Sequence, residues 1–279
     1  MSSRSLLFLA IVALVVSAAT AAAFRYRPQA SPSGTHISGP RDPRDVRRVL
    51  FSVIQPVTLA NCTLERFGEA HDGGYLLCSN LLGAAKSGYS YGISGYDKWG
   101  CDVSRKLNVV VHQYDCFNLT RPVCDGGQTV FHEECVGDTP KLEEGRLFDT
   151  IERQLIQNGD KDRHVVMKMD VEGAEWDSLM QTPDEVLSRI EQLSIEMHGT
   201  DYPRYLATVK KLKRFFYVAN VHYNNFSCSP DVAPFPAWAY EVLFVNKRIA
   251  VLDRARRPAG LVTGLDAPNK VGHVDCQVR

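Results

Sequence analysis

Apolar and polar positions divide this chain into three parts. Leu6 to Phe24 is one apolar run without a charge, long for a signal-peptide core and just long enough to span a bilayer. Residues 25–45 are rich in Pro, Ser, Gly and Arg and carry no apolar period, which predicts a flexible stem. From residue 46 to 279 short apolar runs alternate with helically spaced stretches, which predicts one α/β domain.

Inside that domain an apolar stripe from Val46 to Leu59 predicts a short helix. Asp72-Gly73-Gly74 reads as a turn that feeds a strand from Tyr75 to Cys78. Five further runs read as strands: SGYSYGISG, KLNVVVHQYDC, TVFHEECVGD, HVVMKMDVEG and QLSIEMHG. Lys141 to Gly159 has helical spacing and closes on a glycine. Thr182 and Pro183 read as the N-cap and first position of a helix over TPDEVLSRIEQ. YPRYLATVKKLKRFF reads as a helix, and YVANVHYNN and WAYEVLFVNK as strands. Alternation of this kind predicts a doubly wound sheet with helices on both faces.

Charge narrows the partners. Lys plus Arg and Asp plus Glu each number 32, so the net charge is zero. No broad basic field is available for nucleic acid or an acidic membrane surface. RDPRDVRR, Arg41 to Arg48, alternates in sign and reads as a solvated linker or helix face. Arg254 to Arg257 would suit a basic-directed protease, but such runs are more often solvated surface.

The ends of the apolar run bear on compartment. Arg4 precedes it, Ala21 to Ala23 offer small residues for cleavage, and Arg25 and Arg27 follow. A cleaved signal peptide and an uncleaved signal-anchor both fit residues 1–24, and both place the remainder in the secretory lumen. The expected location is the Golgi lumen, with a single membrane pass at the N-terminus, or the cell exterior. Sequons at Asn61, Asn118 and Asn225 agree with it. So do eight cysteines, none of them in a Cys-x-x-Cys pair. Disulfides are the expected state, with the pairing open and several buried thiols as the alternative.

In a doubly wound sheet a ligand sits beyond the carboxyl ends of the strands. The residues that end strands here are Gly92 to Gly95, Asp115, Asp138, Asp170 with Glu172, and Glu196 with His198. Gly92-Ile93-Ser94-Gly95 allows a tight turn and close approach of a ligand, although a purely structural turn explains it equally well. Asp115, one unit later, stands where an acid grips ribose hydroxyls. Neither Gly-x-Gly-x-x-Gly nor a phosphate loop is present, which favours an adenosine ligand without a diphosphate over NAD.

YSYGISGYDKW, VVVHQYDCF and VVMKMDVEGAEWDSL resemble the FkbM-type branch of S-adenosylmethionine-dependent methyltransferases, nearest to the animal methyltransferase-like 24 group. ERFGEAHDGGYLLC resembles that group's entry motif, and the likeness runs from about residue 62 to 246. Lys-x-Asp-x-Glu-Gly-x-Glu is its most specific element. In the glycine loop Tyr91 stands where the general pattern has an acid nearby. The resemblance implies a Rossmann-like class I methyltransferase sheet over residues 46–279. It implies that Gly92, Ile93 and Gly95 line the methionine end of S-adenosylmethionine, that Asp115 holds the ribose, and that the segment Glu134 to Val136, Cys135 included, lies along the adenine. It also implies that Asp170 and Glu172 face the place where methyl donor and acceptor meet.

Methyl transfer from a sulfonium is an in-line displacement that asks mainly for alignment. A hydroxyl acceptor also asks for a base. His198 is the first candidate and Asp170 the second. Glu196, His222 and Asn224 are expected to bind the acceptor, a glycan or other hydroxyl compound. His198 and His222 would equally serve as ordinary polar partners of the backbone. A divalent metal on Asp170, Glu172, Glu196 and His198 is chemically allowed and is not the favoured reading. Glu172 also suits a helix N-terminus without any ligand, and Trp176 with Leu179 reads as core. A catalytically silent secreted binding protein that keeps the fold is the rival reading, and a nicotinamide enzyme is disfavoured by the missing glycine fingerprint.

Overall fold

A computed structural model of the chain describes residue 40, residues 42–256 and residues 264–277. The expected signal or anchor at 1–24 and the stem up to residue 39 lie outside the described residues, as does Arg257. All described residues belong to one unit, Gly34–Arg279. Among them no helix is long and apolar enough to cross a membrane.

Helix α1 (Pro43–Val53) starts on Asp42, whose carboxylate accepts from the Arg44 amide, with Pro43 at the first position. It stops well short of Leu59 because Gln55 precedes Pro56, and a residue before proline avoids the helical region. Strands β1 (Leu64–Gly68) and β2 (Gly74–Cys78) form an antiparallel hairpin around the expected glycine turn. Then come β3 (Ser87–Tyr91), α2 (Lys98–Leu107), β4 (Val110–Tyr114), β5 (Gln128–His132), β6 (Glu134–Val136), β7 (Lys141–Glu143), β8 (Arg146–Asp149) and α3 (Ile151–Gln157). The chain continues through β9 (Val165–Met169), α4 (Glu175–Gln181), α5 (Asp184–Arg189), β10 (Ile190–His198), α6 (Pro203–Phe215), β11 (Phe216–Tyr223) and β12 (Ala239–Asn246).

Seven strands make the main sheet, in the order β11-β12-β10-β9-β3-β4-β5. Strands β10, β9, β3, β4 and β5 run parallel, and β12 is antiparallel to both of its neighbours. This is a mixed α/β sheet consistent with a Rossmann-like fold. Side chains alternate between its faces. Tyr89, Met167, Ile195 and Phe244 pack with Leu50 of α1, Trp176 and Leu179 of α4 and Val209 of α6. Val111, Val166 and Leu243 pack on the other face with Trp99 and Val103 of α2 and with Phe67 and Leu77 of the hairpin. Trp176 is core, as its spacing predicted.

Several expectations are corrected. Helix α2 has no counterpart among the expected elements, and its last residues, Lys106 and Leu107, fall in the run expected to be the next strand. Asn108 takes a left-handed backbone, φ 53°, and separates the two elements. The run TVFHEECVGD splits into β5 of the main sheet and β6 of a small sheet ordered β6-β8-β7. Asp138 therefore leaves the main sheet rim. Lys141 to Gly159 is a hairpin and a short helix, because Glu144 and Gly145 both adopt positive φ and turn the chain back. Thr182 ends α4, donating its hydroxyl to the Ser178 carbonyl, and does not start α5.

All eight cysteines are paired: Cys62–Cys78, Cys101–Cys124, Cys116–Cys135 and Cys228–Cys276. Four such bonds fit an oxidising, secretory or extracellular environment.

Candidate functional site

Strands β3, β4 and β9 end level with one another, since Tyr91 pairs with both Tyr114 and Met169. The chain winds outward from β3 through β4 to β5, then resumes on the other side of β3 at β9. A crevice for a ligand belongs at that reversal, beyond the carboxyl ends. Gly92, Asp115 and Asp170 follow these three strands directly and share one margin. Gly92 has φ 70°, and a side chain there would run into the Asp170 carbonyl oxygen. Glycine is thus demanded by the close approach of two strand ends. Ile93 is buried beneath the corner. At Gly95, φ 86°, a Cβ would stand 2.8 Å from Asn118 Nδ2.

Asp115 is buried and holds the corner together. Its Oδ2 accepts the Ser94 amide at 2.8 Å, and its Oδ1 accepts those of Phe117 and Asn118 at 2.8 and 2.9 Å. A carboxylate offers about four acceptor positions, so one on Oδ2 remains for a hydroxyl. The residues present fit a nucleoside there: a glycine cradle next to an acid with one open acceptor position. The Cys116–Cys135 bond ties β6 to this margin. Cys135 is thereby near Asp115, and its carbonyl is taken by Gln154. Glu134 keeps one buried carboxylate oxygen without a hydrogen bond.

A second group lies along the same margin. Glu196 pairs with Glu241 across β12, and Ile195 pairs with Met169, so Glu196 stands beside Asp170. Ligating atoms of Asp170, Glu196 and His198 all fall within 4.8 Å of one another. Asp170 Oδ2 accepts the Tyr75 hydroxyl at 3.1 Å and lies 3.7 Å from Lys168 Nζ. Lys168 itself donates to the carbonyls of Gly92 at 2.8 Å and Tyr91 at 3.4 Å. Asn224 Nδ2 donates to Glu196 at 2.7 Å. Burial, then the nearby Asp170 charge, pushes the Glu196 carboxyl well above its ordinary range.

His198 does not suit the expected role of base. Burial alone would lower its pKa, but the Glu175 charge and contact, then Glu196 and Asp170, outweigh it and push it up to about 10. At neutral pH it is a cation and cannot accept a proton. Glu172 is 79% exposed, with Oε2 at 3.5 Å from His198 Nε2. It adopts φ 54° and caps no helix, since α4 starts at Glu175. The buried acid of that turn is Glu175, which accepts the amides of Gly173 and His198, both at 2.7 Å.

His222 is not placed to meet an acceptor. It is buried between Glu241, 3.2 Å from Nδ1, and Asp275, 3.4 Å from Nε2. It belongs to the seat of the C-terminal segment 264–277. Asn269 of that segment donates to Asp72 at 3.1 Å and to Glu241 at 2.7 Å. Of the sequons, Asn118 donates to the Ser94 carbonyl at 2.8 Å, beside the Gly92–Gly95 corner. Asn61 holds the Ile249 carbonyl and the Val251 amide. Asn225 is buried, its Nδ2 shared among the carbonyls of Lys270, His273 and Val274, so a glycan there requires those contacts to open.

Lys168 and Glu175 stand at the two ends of the Lys-x-Asp-x-Glu-Gly-x-Glu motif and Tyr75 in the ERFGEAHDGGYLLC run, but the sequence patterns assign none of the three a role at the site. Lys168 carries a signal, a lone charge inside an apolar strand. Tyr75 has none beyond its strand. A surface cavity of about 150 Å³ lies elsewhere, lined by Glu152, Leu155, Lys161, Glu185 and Arg189. No protein-family model, curated protein or solved structure matches this chain.

Proposed function

We propose that this chain is an S-adenosylmethionine-dependent methyltransferase of the secretory pathway, acting on a hydroxyl of a glycan or similar acceptor in the Golgi lumen or outside the cell. The resemblance in its motifs is one support. The observation that carries the reading is the common margin of β3, β4 and β9, where Gly92, Asp115 and Asp170 meet. Four disulfides support the compartment.

The donor, when bound, supplies an electrophilic methyl carbon. Asp115 offers its open acceptor position to a ribose hydroxyl, and Gly92 and Gly95 keep the backbone clear beside it. Tyr75 and Lys168 fix one oxygen of Asp170. The other oxygen has no hydrogen bond among the described residues and receives the hydroxyl hydrogen of the acceptor. His198 contributes positive charge between the carboxylates, and Asn224 orients Glu196. Transfer of a labelled methyl group to a panel of glycans tests the reading. Wild type transfers; Asp170→Asn is slowed about 100-fold or more while it still binds S-adenosylhomocysteine. Absence of transfer to every acceptor counts against an enzyme.

A silent binding protein with this fold is favoured by one feature, the cationic state of His198, which removes the first-choice base. It predicts no transfer at all.

A further inference from the structure

We propose that Asp170, Glu196 and His198 form a site for one divalent metal ion of the manganese class. The proposal stands on the geometry of these three side chains and does not rest on methyl transfer. They come from the ends of two adjacent parallel strands, β9 and β10. Ligand atoms around a small divalent ion stand at most about 4.4 Å apart, twice a bond length of about 2.2 Å. The three here already lie within 4.8 Å of one another, so slight side-chain rotation closes the set.

Each ligand is oriented from behind, as metal ligands are by their outer neighbours. Asn224 holds one oxygen of Glu196 at 2.7 Å, and Tyr75 holds one oxygen of Asp170 at 3.1 Å. His198 is fixed through its backbone, with its amide on Glu175 and its carbonyl receiving Trp176 Nε1, both at 2.7 Å. The remaining carboxylate oxygens of Asp170 and Glu196 have no hydrogen bond among the described residues.

A second observation points to a ligand. Glu196 is 5% exposed, and the His198 side chain is 10% exposed. Yet the Nδ1 of His198 is buried with no hydrogen-bond partner. The nearest carboxylate oxygen, Glu175 Oε1 at 3.4 Å, already accepts the His198 amide. Polar atoms buried to this degree are normally satisfied, and an exception asks for an unseen ion or water. Lys168 reaches Asp170 Oδ2 only at 3.7 Å and spends its hydrogen bonds on two backbone carbonyls, so it does not fill the gap. Two carboxylates and an imidazole, which releases its proton when the ion binds, with every cysteine locked in a disulfide, exclude a thiolate site and suit manganese over soft ions. Three protein ligands leave positions open for a hydroxyl compound. With the ion bound, Asp170 is a ligand and not a base, and the metal acidifies that hydroxyl.

The test is a Mn²⁺ titration of the full chain, disulfides intact, followed by the electron paramagnetic resonance signal of free Mn²⁺. The expected result is saturation at one ion per chain, weakened about tenfold or more in Glu196→Gln and in Asp170→Asn. The Glu196→Gln variant keeps an amide oxygen that can accept from Asn224, and ion-free melting curves check that both variants fold. A wild-type chain that depletes no Mn²⁺ at millimolar concentration overturns the proposal, as does equal binding by wild type and both folded variants. S-adenosylhomocysteine binding in the same preparation separates the two readings. Its retention without Mn²⁺ uptake ends the metal site alone, and Mn²⁺ uptake without it ends the nucleoside site alone.

Discussion

Glu175 accepts one amide from the loop after β9 and one from the end of β10, which fixes the spacing between Asp170 and His198. It is fully buried. Glu175→Ala leaves two interior N–H groups without an acceptor, so unfolding in urea should show a loss of about 2–5 kcal/mol. A change within about 0.5 kcal/mol, the range of ordinary surface substitutions, would mean that the clamp is not needed. Asp115 and Gly92 are legible in the sequence because each directly follows an apolar run. Glu175 sits in a motif that stands out, but its burial depends on β10 arriving beside it, which no local spacing reports. The charge on His198 is largely hidden, since beyond Glu196 of its own strand it comes from Glu175 and Asp170, which the fold brings beside it.

Among the elements, strands buried on both faces are the readable ones: β3, β4, β9 and β10 all contain the apolar runs that predict them, although β10 starts at Ile190, inside the run expected to be a helix. Failures fall where a turn residue overrides a pattern: Asn108 between α2 and β4, Glu144-Gly145 inside an apparent helix. The C-terminal segment 264–277 shows only irregularity in its sequence, because its structure is lent by β11 and β12. His222 is central to that docking. Burial would lower its pKa, but the hydrogen bond and charge of Glu241, then Asp266 and Asp275, hold it up to about 9. The folded value lies above the ordinary 6.5, so this stabilisation is complete below pH 6.5 and is lost as pH rises through about 9. The melting temperature should therefore fall over that window, and His222→Gln should flatten the fall. A variant with the wild-type pH profile would assign the fall to other groups.

For the whole molecule, covalent closure supplements a core that is split between the two faces of one sheet. Non-reducing peptide mapping should recover the four pairs named above and no others. Cys228–Cys276 spans 48 residues and pins the C-terminal segment. In the chain-entropy picture it contributes about 4 kcal/mol. The double variant Cys228→Ser with Cys276→Ser should lose stability of that order, and limited proteolysis should then cut first within 264–277. Equal protease resistance would show that the noncovalent contacts of Asn225, Asn269 and His222 suffice.

The central claim is that the margin shared by β3, β4 and β9 binds an adenosyl ligand through Gly92 and Asp115. Calorimetric titration with S-adenosylhomocysteine, on wild type and on Asp115→Asn, tests it most directly. Asparagine keeps an acceptor for the loop amides and removes the charge. The account predicts saturable binding by wild type, with about 2.7 kcal/mol of added stability at a hundredfold excess over Kd, and strongly weakened binding by the folded variant. No heat of binding in wild type, or equal affinity in the two proteins, would contradict it.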